Sequence, residues 1–412
     1  MTANKNYQWL LITLLSVNFG IVFFDRNAFA VLGTFIQADM KLTQSQIGDI
    51  TAAFSFAWAI AGLFMGSLSD RVGHRKAILV VATIVFSCAS VLSGFAAGYV
   101  ALMGARMLMG VAEGGIMPIT QTLITAEVSP QRRGLAHGIT QNVGANLLAN
   151  FLGPIIIVAI AVATDWRKAF MLVALPGFLM ALLIAWLVHE PHHLDRHPKP
   201  TLSGALGLLA DRNMLLCVLM SILLVAYFVV FFVFTPFYLE KTSGFDPTHR
   251  SWIMSSAGLV AIAIGFIVPG ASDRFGRKPV AVVASLLGVC IPLGTMWIHS
   301  SSVWPYYFAY AAGAAITGVF PMAMATIPSD TVKPGLIATA LSLTMGTSEI
   351  IGGVLAPAIA GRVSDAYGLA APLWIVTGLA IGTCFIALLL RETAPMVLAR
   401  RDQARAGLAK AA

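Results

Sequence analysis

GSLSDRVGHRK runs from Gly66 to Lys76, and GASDRFGRK, from Gly270 to Lys278, repeats it. Matching Asp70 to Asp273 sets an offset of 203 residues, on which Arg71 meets Arg274, Gly73 meets Gly276 and Arg75 meets Lys278. Each copy is a short charged turn between long apolar runs. A parallel repeat on this scale divides the chain into two similar halves, the arrangement that transporters use to rock around a site at mid-membrane depth.

The composition fits that division. Of 412 residues, 58% are hydrophobic and only 11% charged, which excludes an ordinary water-soluble globule. Apolar runs of about 20 residues, each long enough to cross a hydrocarbon core as a helix, recur along almost the whole length. Cutting them at polar clusters and turn signals gives twelve spans: 8–33, 45–68, 77–98, 100–125, 134–163, 168–189, 212–239, 249–271, 279–299, 303–327, 335–364 and 370–391. The expected fold is an all-α polytopic membrane protein of twelve transmembrane helices in two six-helix halves. The halves are 1–189 and 212–392, joined by a hydrophilic linker, 190–211, and followed by a tail, 393–412. The first run is too long for a signal-peptide core, holds Asp25 and Arg26, and has no small-residue cleavage site, so it is read as a retained helix.

The net charge of +8 reports topology, not nucleic acid. With both termini cytoplasmic, the inward segments hold most of the basic residues, among them Arg71, Arg75, Lys76, Arg132, Arg133 and Arg274. The outward ones hold Lys41, Arg167, Lys168, Lys241, Arg250 and Arg362. The four cysteines stand alone in apolar runs and are read as packing residues.

These features carry a resemblance. The G-x-x-x-D-R-x-G-x-R-K loop after span 2, with its weaker copy after span 8, resembles the signature of the major facilitator superfamily, along essentially the whole chain. Within it, FFDR at Phe23–Arg26 together with RMLMGVAEGG at Arg106–Gly115 is similar to the anion:cation symporters, which include sugar-acid permeases. That resemblance implies proton-coupled import of a small organic anion, with proton-carrying roles for the acidic residues of the two motifs.

The residues themselves point the same way. Five Asp, Glu or Arg residues lie well within spans: Asp25, Arg26, Arg106, Glu113 and Glu349. A lipid-facing charge at mid-helix costs roughly 2.5–3.5 kcal/mol, so these groups must pair or line a wet cavity. Arg106, Gly110 and Glu113 share one helical face, and Asn18 shares the face of Asp25. Two arginines against two carboxylates leave the empty site neutral. Protonating Asp25 or Glu113 leaves an arginine unopposed, and a substrate carboxylate can take the vacated place. Asp25 and Glu113 are therefore the expected proton carriers, and Arg26 and Arg106 the expected anion ligands.

Asn142, Asn146 and Asn150, with Gln141 alongside, form a polar stripe in span 5 that serves either substrate contact or hydrogen bonding between helices. Gln141, Asn142 and Asn146 are taken as substrate contacts, and Tyr227, in the ring-rich span 7, as a cap on the site. Glu349 is expected to be a gate or packing contact, because no arginine accompanies it in the second half. Asp70, Arg71, Arg75, Asp273 and Arg274 are expected to latch the inner ends of the halves in the outward-open state.

Other classes fare worse. No phosphate-binding loop supports a primary pump, and no nucleophile and base on neighbouring spans support a membrane enzyme. His189, His192, His193 and His197 belong to the linker and lack partners to close a metal site. No cofactor is expected beyond the proton. The partners are a small organic anion, protons and the lipid bilayer, with the protein acting as a monomer in the cell membrane. A sugar acid is the leading substrate class. Phe23 occupies a place where many sugar-acid members carry Tyr, which keeps aromatic and short dicarboxylic acids open. A non-transporting sensor and a drug/proton antiporter are the remaining alternatives.

Overall fold

The computed structural model describes residues 4–190, 202–400 and 403, and it is almost entirely helical. The first half comprises α1 (Lys5–Met40), α2 (Gln44–Val72), α3 (Arg75–Gly94), α4 (Tyr99–Glu127), α5 (130–163) and α6 (Trp166–Leu187). The second comprises α7 (Arg212–Lys241), α8 (Pro247–Phe275), α9 (Arg277–Trp297), α10 (Trp304–Thr331), α11 (Thr339–Tyr367) and α12 (Ala371–Leu389). Eleven segments among the described residues are long and apolar enough to cross a membrane, and α2, with 29 residues, takes the twelfth place. An even count returns the chain to the face where α1 begins, here the terminal face; the opposite one is the far face.

Local chemistry sets the boundaries. Asp165, Asp211 and Asp246 cap α6, α7 and α8 by accepting N–H bonds from Lys168, Met214 and Thr248 at 2.8, 3.1 and 2.8 Å. Gly73 and Gly276, the paired glycines of the repeated motif, both have positive φ, at 73° and 110°, which a residue with a Cβ rarely adopts. Exposed tryptophans stand near helix ends on both faces, including Trp9 and Trp186 on the terminal face and Trp297 and Trp374 on the far face, as expected of rings seated at the two membrane interfaces.

The helices differ from the expected spans in length and in winding. α1 covers 36 residues, not the 26 of 8–33, because its polar ends continue the helix past the hydrocarbon. α5 starts at Pro130 and is π-wound from Ile139 to Leu152; α10 has a π-turn at Met322–Thr326 and α11 one at Glu349–Gly353. Irregular winding at membrane depth is tolerated where it is buried in protein or lines a cavity. Half of the expected linker, 191–201, lies outside the described residues, with His192, His193 and His197, and so do 401–402 and 404–412 of the expected tail; the other half of the linker forms a short helix, Leu202–Gly207, and a 3-10 turn, Leu208–Ala210.

Packing pairs α2 with α4, α3 with α6 and α1 with α5 in the first half, and α7 with α12 and α8 with α10 in the second. Three pairs join the halves: α2 with α11, α5 with α8, and α1 with α7. Glycine allows the closest approaches. A Cβ on Gly48 of α2 would lie 2.2 Å from the Pro357 carbonyl oxygen of α11, and one on Gly258 of α8 would lie 2.5 Å from that of Asn150. Hydrogen bonds between the halves gather on the far side, where Asp365 receives Gln44 and Ser45, and Arg362 pairs with Asp49 at 2.8 Å. Arg250, which the charge pattern places in an outward segment, is buried there instead, bonded to Glu240 and to Thr34 of α1.

Candidate functional site

Between the halves lies a cavity of about 670 Å³. It reaches from Arg26 and Glu349, at its depth, to Leu135 and Gly138 near the start of α5, so it extends towards the terminal face. The far side is shut by the contacts just described.

Arg26 of α1 and Glu349 of α11 form an ion pair across the halves, Nη2 to Oε1 at 2.9 Å, with both side chains mostly buried. Three rings surround the guanidinium: Phe54 at 4.8 Å, and Phe23 and Trp58 each at 5.6 Å from ring centre to Cζ. Such cation–π contacts contribute about 0.5–2 kcal/mol each and hold the arginine without removing its charge. Glu349 has no arginine partner in its own half among the described residues, but the other half supplies one. Spacing within one half cannot show a pair that only the seam brings together.

Arg106 also lines the cavity and is 1% exposed. Its guanidinium lies 4.5 Å from the Phe170 ring centre, and among the described residues its hydrogen-bond acceptor is the Met109 sulfur at 3.2 Å; Nε and Nη2 are unpartnered. Behind it, Asp25 is fully buried and accepts the Ser90 hydroxyl at 2.7 Å, while its Oδ2 has no partner among the described residues. Glu113, 1% exposed, has no hydrogen-bond partner for either oxygen among the described residues, yet lies within electrostatic reach of Arg26, Asp25, Arg106 and Glu349. The structure thus brings Asp25, Arg26, Arg106 and Glu113 together and adds Glu349. Two arginines face three carboxyl groups.

The remaining expected contacts divide. Asn146 lines the cavity, and Asn150, bonded to it at 2.9 Å, accepts Asn27 of α1 at 3.0 Å, so the stripe both faces the cavity and ties α5 to α1. Gln141 and Asn142 lie on the same π-wound segment, but their side chains are outside the described residues. Asn18 is fully buried beneath Asp25, its amide unpartnered and away from the cavity wall. Tyr227 does not cap this cavity. Its hydroxyl donates to the Gly288 carbonyl of α9 at 2.8 Å, where α9 is interrupted, because a buried phenol must find an acceptor. Phe228, Phe232 and Phe320 form the wall there instead.

At the terminal face, among the described residues, Asp273 pairs within its own half with Arg277 at 2.6 Å, and Arg274 lies over Phe275. The side chains of Asp70 and Arg71 are outside the described residues. Sequence reading missed a second symmetric feature here. Glu190 accepts the N–H groups of Arg75 and Lys76 at 2.5 and 3.0 Å, and Glu392 those of Arg277 and Lys278 at 2.7 and 3.3 Å. A glutamate after the last helix of each half caps its third helix. The near-equal offset was the available signal.

The family model of the Major Facilitator Superfamily matches residues 15–357. The chain belongs to the Major Facilitator Superfamily. Among other members, a hexuronate transporter of Bacillus subtilis (strain 168) is 28% identical over 87% of this chain and 88% of its own length. A gentisate transporter of Corynebacterium glutamicum is 25% identical, covering 82% and 78%. A probable sulfoacetate transporter of Cupriavidus necator matches at 28% over 47% of this chain and 44% of its own. The crystal structure of nucleoside transporter NupG (D323A mutant) superimposes with a TM-score of 0.79 at 14% identity, covering 92% of this chain and 99% of that one. This superfamily member is therefore a multi-pass membrane transporter by fold.

Proposed function

We propose that this protein imports a small organic anion by proton symport, alternating between states open to either face. The observation that supports it most is the cross-half pair of Arg26 and Glu349 at the base of the cavity, with Arg106 beside it and the partnerless carboxyl oxygens of Asp25 and Glu113 behind. Arg26 and Arg106 receive the substrate carboxylate in charge-assisted contacts, and Asp25 and Glu113 carry protons, so that anion and proton binding favour each other. The terminal face is the cytoplasmic one, both chain ends lie there, and a monomer in the cell membrane is the working unit. Asp70, Arg71, Arg75, Asp273 and Arg274 form the inner latch of the opposite, outward-open state.

A second reading of the substrate rests on the cavity wall. Phe23, Phe54, Trp58, Phe228, Phe232 and Phe320 present rings, while the amides of Asn27, Asn146 and Asn150 occupy one side. That wall favours a carboxylate with an aromatic or otherwise apolar body, in the manner of the gentisate transporter, over the uronate of the hexuronate transporter. The test is uptake of labelled gentisate, glucuronate and succinate by proteoliposomes under an inward proton gradient. Gradient-dependent accumulation that is lost in Arg106→Ala supports the reading. Binding without uptake makes the protein a sensor, and uptake indifferent to the gradient rules out proton symport.

A further inference from the structure

We infer that Glu349 is a third proton-carrying carboxyl of the transport site: protonated, it yields Arg26 to the substrate carboxylate, and deprotonated, it takes Arg26 back and ties the two halves together. The inference deepens the proton-symport reading and rests on it.

An incoming anion meets Glu349 already on Arg26. Arg26 is enclosed by Phe23, Phe54 and Trp58, and its Nη2 points at Glu349 Oε1, 2.9 Å away, with both residues on the wall of the same cavity. A substrate carboxylate that takes Nη2 of Arg26 must displace the Glu349 carboxylate. Two anions cannot share that place, whereas a protonated Glu349 has no charge to defend it and can donate its O–H to the newcomer.

The position is built, not incidental. α11 is π-wound from Glu349 to Gly353, and a Cβ on Gly353 would lie 3.0 Å from Glu349 Oε1 and 3.2 Å from the Ser55 hydroxyl of α2. The carboxyl rests over a glycine, facing α2 and α1. Arg26 of α1 pairs with it, Glu113 of α4 lies within electrostatic reach and Arg106 lines the same cavity, while α7 packs on the same turn through Ile222, Val225 and Ala226. With two arginines and three carboxyls, the fully ionised site carries one negative charge in excess. One proton makes the empty site neutral, and further protons make room for the anion.

The cycle follows. From the far side a proton goes to Glu349 and the substrate carboxylate goes to Arg26. After the halves rock, the anion leaves through the cavity towards the terminal face, Glu349 releases its proton there, and the ion pair seen here re-forms. Each anion is thus accompanied by one proton more than the first-half carboxyls alone would move.

Accumulation of gentisate, glucuronate and succinate by proteoliposomes holding the full chain, with the potential clamped at zero, tests this. At a one-unit pH gradient each coupled proton multiplies the limiting ratio about tenfold, so Glu349→Gln should accumulate about tenfold less than wild type while counterflow exchange persists. Wild-type accumulation in that variant overturns the inference, as does loss of counterflow in a variant that melts like wild type, which would make Glu349 a binding contact. The wild-type proton count from reversal potentials is a readout independent of any variant: two or more protons per anion is expected, and one overturns it. If no probe accumulates in wild type under the gradient, the symport reading itself has failed.

Discussion

The carboxylate of Asp365, near the end of α11, accepts the backbone N–H groups of Gln44 and Ser45 at the start of α2, at 2.9 and 2.8 Å. A residue of the second half thereby caps a helix of the first, and the bonds exist only while the far side is shut. A helix cap is worth about 1 kcal/mol, roughly a fivefold change in a two-state population. Asp365→Ala should move the ensemble towards the far-open state by about that factor. Spin labels at Thr43 and Tyr367, in a background without the native cysteines, will report it as a longer-distance population; an unaltered distribution would mean that the cap does not hold the gate.

Two glycines should separate gating from folding. A Cβ on Gly48 would sit 2.2 Å from the Pro357 carbonyl oxygen across the halves, whereas one on Gly110 would sit 2.5 Å from that of Phe54, inside the first half. Gly48→Ala should melt within a degree or two of wild type yet lose transport, because the far side cannot close. Gly110→Ala should lower stability by about 1–3 kcal/mol through overpacking. Thermal unfolding beside uptake assays will show whether the two effects part in this way. Equal melting losses would contradict the assignment.

The two terminal-face glutamates should act independently. Glu190 and Glu392 each satisfy two N–H groups at the start of a helix, in opposite halves. Replacing either by Ala should cost about 1 kcal/mol, and the double variant about twice that, since distant sites add. Unfolding midpoints of the three variants decide. A double variant no worse than one single would show that the caps are not separate supports.

Much of this was legible because its signals are local. The repeated Asp-Arg-x-Gly turn marks the halves, and its glycines meet a positive φ that can be anticipated from the turn alone. Arg106 and Glu113 share a face because a helix repeats every 3.6 residues, and Gly110 and Gly114 admit α2 as close-packing glycines should. What was not legible depends on the seam. Glu349 gains its arginine, Asp365 its capped helix and Arg250 its buried place only when one half meets the other, and no periodicity within a span encodes that meeting. Tyr227 misled for a related reason: a ring-rich span has no mark to tell the ring that faces a cavity from the one bonded to the break in a neighbouring helix.

The central claim is that buried carboxyls of the first half couple proton movement to anion movement. Gradient-driven accumulation and counterflow, measured side by side in Glu113→Gln proteoliposomes, test it most directly. Accumulation at a one-unit pH gradient should fall by about tenfold or more while counterflow continues, since the arginines remain but a proton carrier is gone. Full wild-type accumulation by Glu113→Gln would contradict the account.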